Sequence, residues 1–272
     1  MDWITGEKFK ALANFTFAPY LRHRDDYDGL PNTFHPSDLY EGCIIYTHTF
    51  YVKQLFEELK KTDKQVYVIT HNSDVNVDDS FEIPDNVLRW YAQNANTDNP
   101  KITHIPIGLE NSRWFMKINK KQKMLDINHT SKDTKNWLYI NHNPKTNPDK
   151  REGLAEMFIG KPFATVQCGK NGQNFDSYLW NLYHHKFILC PEGNGMDTHR
   201  TWECLYLSSI PIEKRNKNNE ELTRIFPILL VNEWSDITED LLYKKWWDLA
   251  SRRNNEALAF KYWQDKIQHG RE

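Results

Sequence analysis

Short apolar runs alternate with amphipathic stretches along most of this chain. Cys43–Thr47 and Gln65–Thr70 are rich in β-branched residues and border turn-forming or polar residues, which predicts buried strands. Between them, Tyr51–Lys61 has apolar residues at the spacing of an amphipathic helix. Strand, helix and strand in this order predict a parallel βαβ unit. Further short strands are predicted at Val87–Tyr91 and Ile102–Ile107.

A second set of strands and helices follows a charged, Asn-rich stretch at Lys117–Lys135. That stretch is predicted to be a linker, although a solvated surface helix would have a similar composition. Beyond it, strands are predicted at Trp137–Asn141, Ala164–Cys168, Phe187–Cys190, Ile210–Ile212 and Ile228–Val231. Helices are predicted at Lys150–Phe158, Phe175–His184, Thr198–Leu207 and through most of Thr238–Gln268.

The pattern therefore predicts an α/β protein made of two Rossmann-like domains in tandem. We expect an N-terminal domain at 1–125, a second domain at 126–240 and a C-terminal helical segment at 241–272. A chain of 272 residues is long enough for two small domains.

Composition and charge narrow the range of functions. Aromatic residues make up 14% of the chain, which excludes disorder as a description of the whole. The 35 Lys and Arg nearly balance the 37 Asp and Glu, so no nucleic-acid partner is expected from bulk charge. No run of 18 apolar residues occurs, so no membrane span is expected. The four cysteines show no Cys-x-x-Cys spacing, which favours reduced thiols in a cytoplasmic compartment over a zinc site.

The segment Lys186–Glu213 carries the strongest chemical signal. A buried strand leads into the loop Pro-Glu-Gly-Asn-Gly-Met-Asp, and a helix begins near Thr198. The start of a helix presents unpaired N–H groups and a partial positive charge, which suit a phosphate group. Arg200 adds a guanidinium for phosphate oxygens, and Glu203 lies on roughly the same face of the helix. Two alternatives remain open here: an ordinary strand–loop–helix joint, and a surface ion pair between Arg200 and Glu203.

Three segments in this order resemble the exostosin-like glycosyltransferases, and most of all their short, soluble, virus- or microbe-encoded members. The most specific is CPEGNGMDTHRTWECLYLSSIPI at Cys190–Ile212. The others are IPIGLENSRWF at Ile105–Phe115 and WLYINHNPKTNPDKREGL at Trp137–Leu154. The resemblance implies a GT-B fold, in which two Rossmann-like domains face a cleft and a C-terminal helix braces both.

The resemblance also implies roles for residues of the second domain. Arg200 would hold the pyrophosphate of a nucleotide sugar, and Glu203 would hold its ribose. The remaining donor-binding residues would line the phosphate turn or face the donor from the preceding strand. They are Asn194, Gly195, Thr198, His199, Asn141, Asn143 and Arg151.

The family resemblance implies an inverting transfer, in which one base deprotonates the acceptor hydroxyl as it attacks the anomeric carbon. The base is expected where a strand of the N-terminal domain ends, and the candidates are His48, His71, Asp74 and Glu110. We favour the loop that contains His71 and Asp74, with Asp74 first, although such residues are often turn or cap residues. No metal or other cofactor is expected, because no Asp-x-Asp follows a strand.

Acceptor binding is predicted from aromatic side chains, since the apolar faces of sugars stack on rings. Trp90 and Trp114 are the candidates, with Glu110 orienting the acceptor. We expect a UDP-sugar donor, with xylose as the guess for the sugar, and a glycan or glycoprotein acceptor in the cytoplasm, the host's if the chain is virus-encoded. The alternatives are a non-catalytic carbohydrate-binding module and a nucleotide-sugar epimerase on the same fold.

Overall fold

The computed structural model describes residues 2–19, 32–112, 119–168 and 174–270. Two units emerge from the contacts within the chain: Met1–Leu109 together with Ala259–Glu272, and Glu110–Leu258. Each unit contains a five-stranded parallel sheet flanked by helices, which confirms the predicted α/β class with two parallel sheets. The predicted boundary after residue 125 lies inside the second unit, and the predicted segment 241–272 is divided between the two units.

The five strands of the first unit lie side by side in the order in which they follow along the chain. Every residue of the two strands Cys43–Thr47 and Val66–Thr70 is buried, as expected for central strands of a parallel sheet that is covered on both faces. The five strands are β1 Phe15–Phe17, β2 Cys43–Thr47, β3 Val66–Thr70, β4 Val87–Ala92 and β5 Ile102–His104. The helices described in this unit are Gly6–Ala11, Val52–Leu59 and Phe260–His269.

The second unit also has five strands: β6 Asn136–Ile140, β7 Ala164–Val166, β8 His185–Leu189, β9 Ile210–Lys214 and β10 Leu229–Val231. Their order in the sheet is β10-β9-β8-β6-β7, and all of the strand pairs are parallel. The described helices are Lys120–Asn128, Pro148–Arg151, Phe175–His184, His199–Tyr206, Lys217–Thr223 and Glu239–Ser251.

Three segments have a secondary structure that differs from the prediction. The predicted linker contains the helix Lys120–Asn128, of which only Met124 is buried, so this part is a surface helix of the second unit. The predicted helix Lys150–Phe158 is instead two short pieces, Pro148–Arg151 and a 3-10 turn at Glu156–Phe158. The interrupted apolar face near the C-terminus forms two helices, one in each unit.

No helix in the described part of the chain is both long and apolar enough to cross a membrane.

Candidate functional site

The order of strands in the second unit locates the candidate site. From β6 the chain adds β7 on one side and then crosses to add β8 on the other, so β6 and β8 are neighbours at the point where the winding reverses. In open parallel sheets, ligands bind beyond the carboxyl ends of the strands at such a point. The segments that leave β6 and β8 here begin at Asn141 and Cys190, one residue earlier than the sequence predicts.

The guanidinium of Arg151 donates hydrogen bonds to both of these segments. Its Nε donates to the Glu192 carbonyl at 2.7 Å and its Nη2 to the Pro191 carbonyl at 3.1 Å. Its Nη1 donates to the carbonyl of Asn143, which follows β6, at 3.3 Å. Arg151, predicted to bind the donor directly, therefore uses its hydrogen bonds to hold the loop that the donor would contact.

Replacing Arg151 with lysine is expected to destabilise the protein by about 2 kcal/mol. An ammonium group cannot reproduce the planar fork, so two of the three carbonyls lose a charged donor. The free energy of unfolding in urea checks this, with Arg215→Lys as the matched control because Arg215 is an exposed arginine of the same unit. Equal stability of Arg151→Lys and the control would contradict the structural role.

Arg200 lies in the first turn of the helix His199–Tyr206 and is partly buried. Its guanidinium carbon lies 5.5 Å from the centre of the Tyr178 ring. Within the described part of the chain, no carboxylate lies at ion-pair distance from it. The ion pair with Glu203, one of the alternatives from the sequence, is therefore not formed.

Glu203 instead pairs with a tyrosine from a different helix. The Tyr178 hydroxyl donates to Oε2 of Glu203 at 2.6 Å, and Glu203 is 8% exposed. Burial raises the pKa of Glu203, while the Tyr178 hydrogen bond and the charges of Lys120 and Arg200 lower it. Burial and Glu203 raise the pKa of Tyr178 well above its usual range, so the phenol stays protonated and donates.

Lys120 lies close enough to Glu203 for its charge to lower the pKa of that carboxyl group. It forms an ion pair with Glu110, and its Nζ lies 5.2 Å from the centre of the Phe175 ring. Glu110, predicted to orient an acceptor, thus belongs to the second unit and is held by a lysine there.

Both arginines act electrostatically on a neutral histidine–cysteine pair, His142 and Cys168. Burial, followed by the charges of Arg200 and Arg151, lowers the pKa of His142 to about 4, against the effect of a hydrogen bond to the Arg151 carbonyl. Because that carbonyl lies 3.2 Å from Nε2, Nε2 carries the proton and Nδ1 faces the Cys168 thiol at 3.5 Å. Burial raises the pKa of Cys168, so the thiol is not ionised. The positive potential of the two guanidinium groups is therefore not cancelled here.

The remaining residues that were predicted to bind the nucleotide sugar lie at the carboxyl edge of the second sheet. Asn194 is exposed in the loop, and Gly195 accepts the Gly193 N–H at 3.0 Å. Neither Gly193 nor Gly195 has a positive φ. Thr198 is the N-cap residue of the helix, and within the described residues its side chain makes no capping hydrogen bond. His199 begins that helix and is partly buried.

The two asparagines after β6 have local partners. Asn141 donates to the Tyr139 hydroxyl at 2.8 Å, and the Asn143 side chain accepts from the Lys145 N–H at 3.1 Å. They lie at the predicted edge of the sheet, but these contacts give them a role in shaping the loop.

The predicted base His71 needs correction. It is 1% exposed, and its ring stacks on Phe9 at 5.2 Å between ring centres. Nε2 lies 3.0 Å from the Pro106 carbonyl, and Nδ1 accepts the Asn72 N–H at 2.8 Å. Both nitrogens hold the backbone, which makes His71 a packing residue. Asp74 is exposed in the same loop, and its role as base stays a prediction.

The predicted acceptor platform also changes. Trp90 is fully buried, donates to the Thr70 hydroxyl at 2.8 Å and packs edge-on against Phe56 and Phe81. The prediction that its ring stacks on a sugar is wrong, because both faces of this sheet are covered. Trp114 lies outside the described residues.

Sequence reasoning missed Tyr178, Lys120, His142 and Cys168. The hydrogen bond between Tyr178 and Glu203 joins two helices, and no local spacing signals it. His142 and Cys168 follow the adjacent strands β6 and β7, so a strand-order prediction would have been the signal for that pair.

A scan against known protein families finds no match, and a search of curated proteins finds none. Among the described residues, no group of three or more His, Cys, Asp or Glu side chains is arranged to hold a metal ion.

Proposed function

We propose that this chain is an inverting glycosyltransferase of the GT-B type, with a nucleotide-sugar donor bound by the second unit and the acceptor side on the first. The observation that carries the proposal is Arg200, a partly buried guanidinium at the switch point of a parallel sheet without a carboxylate at ion-pair distance among the described residues. A cation in this setting suits an anionic ligand, and a diphosphate matches a guanidinium in shape and charge.

The helix that carries Arg200 also favours the binding of a phosphate group. Its first turn lies directly after the loop held by Arg151, and the positive end of its dipole favours a phosphate. In a transfer reaction, the same groups would stabilise the negative charge that develops on the departing nucleoside diphosphate.

Glu203 supports a nucleoside rather than a simple phosphate. Its carboxylate is buried and fixed by Tyr178, three residues beyond Arg200 on the same helix. A fixed carboxylate accepts hydrogen bonds from a vicinal pair of hydroxyls, such as those of ribose. We therefore assign Arg200 to the diphosphate and Glu203 to the ribose.

The reaction itself is a single displacement. A base on the first unit removes the proton of an acceptor hydroxyl, the oxygen attacks the anomeric carbon, and the nucleoside diphosphate leaves from the opposite face. Within this proposal UDP is the expected carrier and xylose the expected sugar, with a glycan or glycoprotein in the cytoplasm as the acceptor.

The proposal is tested by thermal unfolding of the wild type in the presence of UDP-, GDP-, CMP- and TDP-sugars, each with and without EDTA. A donor at 100 times its dissociation constant stabilises the folded state by roughly 2.7 kcal/mol. We expect one nucleotide family to stabilise the protein equally well with EDTA. If none does so in a folded sample, the transferase proposal fails and a carbohydrate-binding module is favoured. Conversion of the donor to an isomeric sugar without an acceptor would favour the epimerase.

A further inference from the structure

A tyrosine of the second unit contacts both side chains that are assigned to the nucleotide. Tyr178 lies on the helix Phe175–His184, whereas Arg200 and Glu203 lie on the helix His199–Tyr206. The Tyr178 hydroxyl donates to Oε2 of Glu203 at 2.6 Å, and the ring centre lies 5.5 Å from the guanidinium carbon of Arg200. The hydroxyl and the ring of one residue therefore act on different parts of the candidate site.

The contacts of Glu203 leave one of its oxygens for a ligand. Within the described part of the chain, the Tyr178 hydroxyl is the one hydrogen-bond donor to Glu203, and it occupies Oε2. The other oxygen, Oε1, accepts no hydrogen bond from a described residue and is not enclosed. A carboxylate that is 8% exposed needs further donors to offset its loss of water, and the two neighbouring hydroxyls of a ribose would supply them.

The helix on which Tyr178 lies holds its side chain in place. Leu179 and Leu182 are buried on the inner side of that helix. Asn174 caps its N-terminus by accepting the Ser177 N–H at 2.8 Å. Because both the packing and the cap fix the helix, the hydroxyl is a fixed donor, and it sets the orientation of the carboxylate that it faces.

The same hydrogen bond favours the charged form of Glu203. Burial raises the pKa of this carboxyl group, and the Tyr178 hydroxyl is the largest of the effects that lower it. An ionised carboxylate accepts hydrogen bonds on both oxygens, whereas a protonated acid places a donor on one of them. Tyr178 therefore favours both the orientation and the charge that binding of a ribose requires.

We propose that Tyr178 is a positioning residue through which the second unit selects ribonucleotides over 2′-deoxyribonucleotides, an inference that rests on the proposed function. Tyr178 directs Glu203 towards the ribose hydroxyls, while Arg200 binds the diphosphate, which both kinds of nucleotide share. Loss of the 2′-hydroxyl removes a hydrogen bond to a charged group, so we expect the 2′-deoxy form to bind about 10–100-fold more weakly. Thymidine nucleotides, whose sugar is 2′-deoxyribose, are therefore expected to be poor ligands.

The test compares nucleoside diphosphates that differ in the 2′-hydroxyl alone: UDP and 2′-deoxy-UDP, GDP and 2′-deoxy-GDP, and CDP and 2′-deoxy-CDP. Isothermal titration gives the ratio of the two dissociation constants for the pair that binds the wild type. Tyr178→Phe keeps the ring beside Arg200 and removes the hydroxyl. We expect the ratio to fall to about threefold or less, and the affinity for the 2′-deoxy form to stay within about threefold of the wild type.

Two further variants show whether Tyr178 acts through Glu203. Glu203→Gln removes the charge that the 2′-hydroxyl meets, and we expect Tyr178→Phe to change the ratio no further in that background. Tyr183→Phe is the matched control, because Tyr183 lies on the same helix and its hydroxyl donates to the Thr130 carbonyl at 3.0 Å. This control is expected to keep the wild-type ratio, even where it lowers the free energy of unfolding.

The possible results separate this inference from the function on which it rests. An unchanged ratio in Tyr178→Phe, an equal fall in Tyr183→Phe, or a wild type that binds the 2′-deoxy form equally well overturns the selectivity while leaving a nucleotide site. A further fall when Tyr178→Phe is added to Glu203→Gln overturns the action through Glu203. If the folded wild type binds none of these nucleotides and no nucleotide sugar, the proposed function fails as well.

Discussion

Replacing Arg200 with methionine is expected to abolish the thermal stabilisation by the nucleotide sugar and to weaken donor binding by about 10²–10³-fold, equivalent to roughly 3–4 kcal/mol. The guanidinium carries the charge that faces the diphosphate in our proposal, and the Arg151 guanidinium cannot replace it because three backbone carbonyls hold it. Methionine keeps much of the unbranched stem, so packing against Tyr178 is largely retained. Isothermal titration with the stabilising nucleotide sugar measures the loss.

The unliganded variant provides the internal check on this interpretation. Burial of this cation costs desolvation energy, while its charge favours the ionised form of Glu203, so its removal is expected to leave the melting temperature nearly unchanged. Arg224→Met is the matched control, because Arg224 is an exposed arginine paired with Glu221. Unchanged donor affinity in Arg200→Met would contradict the donor site, and a marked fall in its unliganded stability would indicate a structural role instead.

The sequence predicted the fold best where elements are regular and well bounded. The helix Phe175–His184 is confirmed at the predicted bounds, and all five strands of the second sheet lie within one or two residues of their predicted starts. The edge strand Phe15–Phe17 was missed because three residues are too few to show a periodic pattern. Its pairing with the central strand Cys43–Thr47 is a long-range contact that no local signal reveals.

The candidate site was predictable in outline but not in its partners. The strand–loop–helix pattern around Cys190 correctly indicated that Arg200 and Glu203 lie on a helix at the carboxyl edge of a sheet. Which groups Arg151 contacts depends on how two loops meet, and the sequence could not distinguish a ligand-binding arginine from one that holds carbonyls. For His71, the tautomer follows only from the carbonyl that its ring faces.

The buried carboxyl group of Glu213 is expected to lower the free energy of unfolding as the pH rises from 5 to 9. Glu213 is 7% exposed, and its oxygen accepts a hydrogen bond from Thr201 on the helix that carries Arg200. Burial, followed by the charges of Asp197 and Glu192, raises its pKa from 4.5 to about 8, against the hydrogen bonds from Thr201 and Asn219. The native state therefore keeps this proton at pH values where the unfolded chain has lost it.

The difference in bound protons sets the direction in which the free energy of unfolding changes with pH. A group with a raised pKa contributes stability that is complete below about pH 4.5 and is lost as the pH rises to about 8, amounting to at most about 5 kcal/mol. Glu213→Gln mimics the protonated acid, so we expect it to match the wild type in urea unfolding at pH 5 and to be several kcal/mol more stable at pH 9.

Comparing the two proteins also cancels the opposite trend from Lys132, whose pKa burial lowers to about 7. The exposed carboxyl of Glu256 serves as the control, and equal pH dependence in Glu213→Gln, Glu256→Gln and the wild type would show that Glu213 ionises normally in the folded protein.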